Sequence, residues 1–267
     1  MAMVAVLQAR VSSSRLAGKV LRPILGKPML ALQIERIRRA RRIAELVVAT
    51  SAEASDDPLV PLCEGARVLL FRGSLDDVLD RVYKAAVTYA PDHLVRLTGD
   101  CPLADPEVID EIIRVHLQTG SDYTSNTLKP TYPDGLDVEV ARFSSFESAW
   151  RNARLRSERE HVMPYLYNNP DRFRLHNVAD TVDRSAMRWT VDEPADFEFV
   201  RGVYEALYPD NPAFTSDDVH RLLLHKPELA ALNAGFRRNE GYEKSLRADK
   251  EAADAAARAD GGGTGST

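Results

Sequence analysis

A chain of 267 residues, 44% hydrophobic and with a formal net charge of -5, has the size of one large α/β domain with an elaboration. Its acidic balance argues against nucleic acid as a main partner, whose footprint is a basic patch on a basic domain. Cys63 and Cys101 are the only cysteines and form no C-x-x-C, so neither a disulfide framework nor a structural zinc site is indicated, and a reducing, cytoplasmic setting fits. No apolar run approaches the ~18 residues of a membrane span and no export leader is apparent.

In chain order, residues 4–7 read as a buried strand and an amphipathic helical pattern opens near Met29. The stretch LQARVSSSRLAGKVLRPILGK, 7–27, is therefore a strand-to-helix loop. Such loops sit at the carboxyl edge of a parallel sheet, where ligands bind in open α/β folds. Arg10, Arg15 and Lys19 supply cations, Ser13 and its neighbours hydroxyls, and Gly18 close backbone approach, which together suit a polyphosphate. No glycine stands five residues before Gly18 and no Ser or Thr follows Lys19, so the loop is not a Walker A sequence. On a loop outside the core, Lys19 is expected to matter for turnover and little for stability.

Residues 29–42 read as a helix whose arginines from Arg36 to Arg42 form a solvated face. Strands follow at 45–50 and 67–71 and a helix at 56–64. Ser74 is expected to cap a helix reaching Tyr89, with Asp76, Asp77 and Asp80 in its first turns. A fourth strand at 93–97 runs into TGDCPLADPEVID, which places Asp100 at the same sheet edge as the first loop. Asp105 before Pro106 is an N-cap signature for a helix over 107–118. This alternation predicts a parallel sheet covered by helices.

Beyond a short strand at 122–125 the rhythm changes. Residues 127–187 read as an insertion in a domain spanning 1–240. It holds an alternating run at 136–140 and helices at 144–153 and 158–167. Strands at 173–178 and 188–191 are expected to form a hairpin that returns to the sheet and ends at Asp192, with Asp196 and Glu198 already on the next helix. A helix at 215–224 is capped by Thr215 or Ser216. Residues 241–267, rich in alanine and charge, read as a frayed helix and disordered tail without a chemical role.

Two carboxylates, Asp100 and Asp192, facing a cationic loop on one sheet edge form a metal and polyphosphate site. Mg²⁺ is held by one or two carboxylates plus substrate phosphates, so the residues alone point to a nucleotide-dependent transferase using Mg²⁺. No G-x-S-x-G, H-E-x-x-H or dinucleotide-binding glycine fingerprint supports a hydrolase, zinc protease or dehydrogenase.

LQARVSSSRLAGKVLRPILGKPML resembles the opening motif of the sugar cytidylyltransferases, the group of the CMP-Kdo and CMP-sialic acid synthetases. Ala9, Arg10, Ser12 or Ser13, Arg15, Leu16, Gly18 and Lys19 match its A-R-x-x-S-x-R-L-P-G-K pattern, with Ala17 in place of proline. LTGDCPLADPEVID and RWTVDEPADFEFV resemble its later motifs and supply Asp100 and Asp192. YPDGLDVEV and EREHVMPYLY resemble the branch associated with spore-coat polysaccharide biosynthesis. The resemblance implies a nucleotide-diphosphosugar transferase-like (GT-A-like) α/β fold, mixed but mainly parallel, with an inserted dimerisation and acceptor-binding segment. It further implies transfer of CMP from CTP to an acidic, nonulosonate-like sugar, Mg²⁺ with Mn²⁺ as a substitute, and a homodimer.

Under that resemblance Arg10, Lys19 and Asp100 are catalytic. Ala9, Arg10, Ser13, Arg15, Gly18, Lys19 and Thr98 bind the nucleotide, and Asp100 and Asp192 bind the metal. Asp134, Asp137, Glu139, Arg159 and His161 face the acceptor. The synthetases commonly carry a glutamine where this chain has Leu97, so no residue is assigned to reading cytosine. Two rival readings are a metal-dependent glycosyltransferase, which typically has a D-x-D where this chain has Gly99-Asp100-Cys101, and a catalytically silent subunit. The second conflicts with the presence of Arg10, Lys19, Asp100 and Asp192.

Overall fold

The computed structural model describes residues 2–13, 15–236, 238 and 240–261. Strand β1 (Met3–Gln8) leads through the long first loop to a two-stranded ribbon, β2 (Pro23–Ile24) with β3 (Lys27–Pro28), and then to α1 (Met29–Ile37). The alternation continues with β4 (Glu45–Ser51), α2 (Leu59–Gly65), β5 (Leu69–Gly73), α3 (Val78–Val87), β6 (His93–Thr98) and α4 (Pro106–Thr119). Next come β7 (Tyr123–Ser125), β8 (Glu139–Arg142), α5 (Phe143–Asn152), α6 (Arg156–His161), α7 (Pro164–Tyr167) and β9 (Leu175–Asn177). Four helices follow: α8 (Pro194–Leu207), α9 (Ser216–His225), α10 (Pro227–Ala231) and α11 (Glu240–Gly261).

The main sheet has the order β5-β4-β1-β6-β8-β7-β9. Its first four strands are parallel, β8 is antiparallel to both β6 and β7, and β9 is parallel to β7. The fold is thus mixed α/β with a mostly parallel sheet flanked by helices. Strand β8, from the stretch expected as an insertion, lies inside the sheet.

Because side chains alternate across a strand, β1 feeds two cores. Met3, Ala5 and Leu7 pack with α1, α2, α4 and α8 on one face, and Val4 and Val6 pack with α3, α5 and α7 on the other. Among the described residues no helix is long and apolar enough to cross a membrane.

Several expected boundaries move, each for a local reason. Helix α1 stops at Ile37 rather than Arg42, because the Asp110 carboxylate takes the N–H groups of both Arg41 and Arg42 at 2.9 Å. Asp77, not Ser74, caps α3, accepting from the Asp80 N–H at 2.9 Å; Ser74 Oγ accepts from the Asp77 N–H one turn earlier. Asp105 caps α4 as expected and also accepts from the Ser216 N–H, tying the starts of α4 and α9 together. The hairpin of 173–178 with 188–191 does not form. β9 pairs with β7, while Arg188 makes only an isolated bridge to Asp134. Loops satisfy this segment's backbone instead: the Trp189 N–H donates to Asp134 O and the Val191 N–H to Asp100 O, at 2.6 and 2.7 Å. Gly135, at φ +112°, permits the approach, since a Cβ there would sit 2.5 Å from Thr190 N.

Beneath the sheet, His93 Nδ1 lies 3.0 Å from His116 Nε2, and His116 Nδ1 lies 3.0 Å from Thr124 Oγ1. Burial, and then the His93 charge, bring His116 down to about 4 from its ordinary value near 6.5. Between those values the unfolded chain takes up a proton that the folded chain refuses. Stability should therefore fall as pH drops from 6.5 toward 4, by on the order of 3 kcal/mol for this group, and should not depend on it above 6.5. Urea unfolding at pH 7 and pH 5 checks this; His116→Gln should flatten the difference, and an unchanged slope would assign the acid sensitivity elsewhere.

Candidate active site

The strand order reverses at β1. The chain proceeds from β1 to β4 to β5, then returns to place β6 on β1's other side. In open sheets such a reversal opens a crevice beyond the carboxyl ends of the strands. Here it is a cleft of about 860 Å³ whose lining includes residues from the loops after β1 and β6, from the start of α3, from α6 and from the 188–192 segment.

The first loop is held in a fixed shape by its own backbone and by a neighbour. Gly18 takes φ +67° and donates its N–H to Val11 O at 3.0 Å, closing the loop where only glycine is unstrained. The Val11 N–H donates to the buried Asp56 carboxylate at 2.7 Å, and the same carboxylate accepts from Thr50 Oγ1 at 2.9 Å and the Ser51 N–H at 3.0 Å at the end of β4. Gly99 brings the two site loops together: its N–H donates to Gln8 O at 2.8 Å, and a Cβ on it would lie 2.8 Å from that of Ala9.

Lys19 is the centre of the charged arrangement. Its Nζ donates to Val191 O at 2.7 Å, to Asp192 Oδ1 at 2.9 Å and to Asp100 Oδ2 at 3.4 Å. The two carboxylates expected to meet at the sheet edge do so around this ammonium. Burial opposes the Lys19 charge, but Asp100 and Asp192 outweigh it and raise its pKa above the ordinary lysine value. Burial likewise opposes the Asp100 charge, and Lys19 with Thr98 holds that carboxyl below the usual range. Arg15 reaches across from the first loop to Asp192 at 2.9 Å and Glu193 at 3.4 Å. Arg10 lines the cleft, is exposed and makes no ion pair among the described residues.

The cleft brings together Ala9, Arg10, Ser13, Arg15, Lys19, Thr98, Asp100, Asp134, Asp137, Arg159, His161 and Asp192. Gly18 stands behind this lining as a shaping residue. Glu139 does not line the cleft. It is the cross-strand partner of Arg96, pairs with that guanidinium and accepts from Tyr123 OH at 2.6 Å. Asp134 and Asp137 are both paired with Arg238. Burial lifts the Asp137 carboxyl to about 7 against the pull of Arg238, and raises Asp134 as well. Arg159 is held by Asp77 at 3.1 Å and by Trp150 O at 2.8 Å, which fixes α6 against the start of α3.

Three contributors escape a reading of the sequence. Arg188 is buried and joins Asp134, Asp192 and Asp196 at 3.1, 3.2 and 3.0 Å. Its only signal was its place four residues before Asp192. Arg81 is 2% exposed and lines the cleft with its Nε unpartnered among the described residues. Burial, and then the neighbouring Arg10 charge, bring it down to about 10. Tyr242, from the stretch expected to have no chemical role, lines the cleft beside His161.

Residues 4–212 match the model of a protein family described as cytidylyltransferase. The spore coat polysaccharide biosynthesis protein SpsF of Bacillus subtilis is 31% identical over 237 residues, 84% of this chain and 95% of that protein. The 3-deoxy-manno-octulosonate cytidylyltransferase of Geobacter metallireducens is 34% identical over 113 residues, 42% of this chain and 44% of that one. Among solved structures, a cytidylyltransferase from Leptospira borgpetersenii superposes with a TM-score of 0.83 at 30% identity, covering 89% of this chain and all of that one.

Proposed function

Because this chain belongs to the cytidylyltransferase family, we propose that it transfers CMP from CTP to an acidic sugar and releases pyrophosphate. The observation that carries the reading is the Lys19 ammonium set between Asp100 and Asp192 at the crevice beside β1, with Arg10 and Arg15 on the same loop. In the reaction an acceptor oxygen forms a bond to the α-phosphorus of CTP while the bond to the β-phosphate breaks. Arg10, Arg15 and Lys19 bind the triphosphate and meet the charge that grows on the departing pyrophosphate. Arg15 and Lys19 are held by carboxylates in this structure, so binding exchanges those ion pairs for pairs with phosphate.

The donor set suits a hard divalent cation. Asp100 and Asp192 converge on one point, that of the Lys19 ammonium, and offer only oxygen. Among the described residues no group of three or more His, Cys, Asp or Glu could hold an ion, so phosphate oxygens would complete the coordination of Mg²⁺ or Mn²⁺. Such an ion supplies charge neutralisation at the phosphates and lowers the pKa of a bound hydroxyl. Asp134, Asp137, Arg159 and His161 stand in the rest of the cleft, where the acceptor is bound. Use of the product in surface polysaccharide synthesis and a homodimer through 127–187 belong to the same reading; the exposed Val182 and Met187 give that segment apolar surface.

Pyrophosphate release measured with each of the four nucleoside triphosphates against a panel of acidic sugars tests the proposal. Release is expected with CTP, only when an acidic sugar and Mg²⁺ are present. Release with a different triphosphate, or none with any combination, would sink it.

A further inference from the structure

The family match ends at residue 212, yet the chain beyond it reaches the cleft, where Gly241 and Tyr242 are among the lining residues. Asn233, buried, donates to Arg188 O and to Asp196 Oδ1, both at 2.9 Å. Arg238 pairs with Asp137 and Asp134 and donates to Tyr132 O at 3.4 Å. Tyr242 lines the cleft with its ring edge-on to that of His161, centroids 5.1 Å apart. Ser245 Oγ lies 3.0 Å from His161 Nε2 and donates to Glu160 Oε2 at 3.0 Å. Asp249 accepts from the Ser157 N–H at 3.2 Å, at the start of α6.

This docking is not hydrophobic core formation. Among the residues of α11 whose burial is described, Ser245 alone is buried and no apolar side chain is. The arm's contacts are directional: Arg238, just before α11, pairs with Asp134 and Asp137, and on α11 Ser245 meets His161 by a hydrogen bond while the Tyr242 ring meets those of His161 and Tyr167. An arm seated by such contacts contributes position rather than burial, because each hydrogen bond to a charged group adds only about 1.5–3 kcal/mol net.

We propose that this C-terminal arm walls the acceptor end of the cleft, and that Arg238 and Tyr242 select the acceptor. Tyr242 offers a ring face against which a sugar ring can rest. Arg238 holds Asp134 and Asp137 in place as acceptors for sugar hydroxyls, while among the described residues no hydrogen bond or ion pair joins the arm to the loops after β1 and β6; its nearest link to that end is Asn233, through Arg188 and Asp196. The assignment rests on the nucleotidyl-transfer reading above for the identity of the ligand, and on the arm's contacts alone for its place.

Two measurements on the full chain test it. Hydrogen exchange of amides 241–249 is expected to run at least about ten-fold slower than in an unstructured chain; exchange at the unstructured rate means the arm is not docked and overturns the proposal. In steady-state pyrophosphate release, Arg238→Ala and Tyr242→Ala are expected to raise the acceptor KM about ten-fold while the KM for CTP stays within about two-fold. Tyr242→Phe, which keeps the ring, should stay close to wild type. Equal rises in both KM values, or no rise in either, overturn the proposal, and Tyr242→Leu replaces any Ala variant that melts below the assay temperature. Wild-type protein that releases no pyrophosphate with any triphosphate and sugar would defeat the nucleotidyl-transfer reading instead, and exchange at 241–249 would still decide whether the arm is docked.

Discussion

Lys19→Ala is expected to lower kcat for pyrophosphate release about 100-fold, the scale seen when one preorganised charge partner is removed from a transition state. It should also lower stability by about 1–3 kcal/mol, since Asp100 and Asp192 would face each other without their shared cation and Val191 O would lose its donor. A loop lysine read from sequence alone carries no such cost; this one has a side chain 11% exposed. Lys19→Arg should not restore turnover, because a planar fork cannot place three short contacts around one nitrogen. Steady-state kinetics with urea unfolding of the same variants checks both parts. Wild-type kcat in Lys19→Ala would remove the residue from the mechanism.

The second large effect concerns the carboxylates around that ammonium. Asp100→Asn and Asp192→Asn are each expected to reduce kcat at least about 100-fold, and the double variant to be little worse than either, because residues that act as a unit do not add. Raising Mg²⁺ or supplying Mn²⁺ should recover part of a single variant's rate and none of the double variant's. Asp105→Asn is the control. It should lose about 1 kcal/mol of stability, because an amide cannot hold the Glu107 and Ser216 N–H groups with two carboxylate oxygens, and it should keep kcat. Fully additive losses at Asp100 and Asp192 would place them in separate functions.

The part of the cleft around Lys19 was legible because it depends on local features. A strand with buried residues on both faces, a turn glycine and charged residues at a strand end are visible within a dozen positions, and they locate Arg10, Lys19 and Asp100; Asp192 was read at the end of a strand that does not form, and loop contacts bring it to the same place. Residues whose role depends on a distant partner were not legible. Glu139 sits in an alternating run and reads as facing a ligand, but strand register sets it opposite Arg96, and the two neutralise each other inside the sheet. Arg188 was hidden because its segment reads as a strand, whereas the close approach permitted by Gly135 makes it a bridge between loops. The 241–249 stretch lacks an apolar stripe, and apolar periodicity is the signal by which packed helices are read; polar docking leaves no such trace.

The reversal of strand order at β1 has a geometric consequence that the hand of the chain decides. Crossovers between parallel strands are right-handed, so a path that runs outward from β1 and then returns past it must place its connecting helices on opposite faces. That is the arrangement seen: α1 and α2 lie with Leu7, and α3 lies with Val6. The first loop leaves the sheet toward one side and α3 begins on the other, which leaves a gap above β1 that no helix fills. The location of the cleft is thus settled by chirality and connectivity, and the charged residues around Lys19 determine only what it can hold.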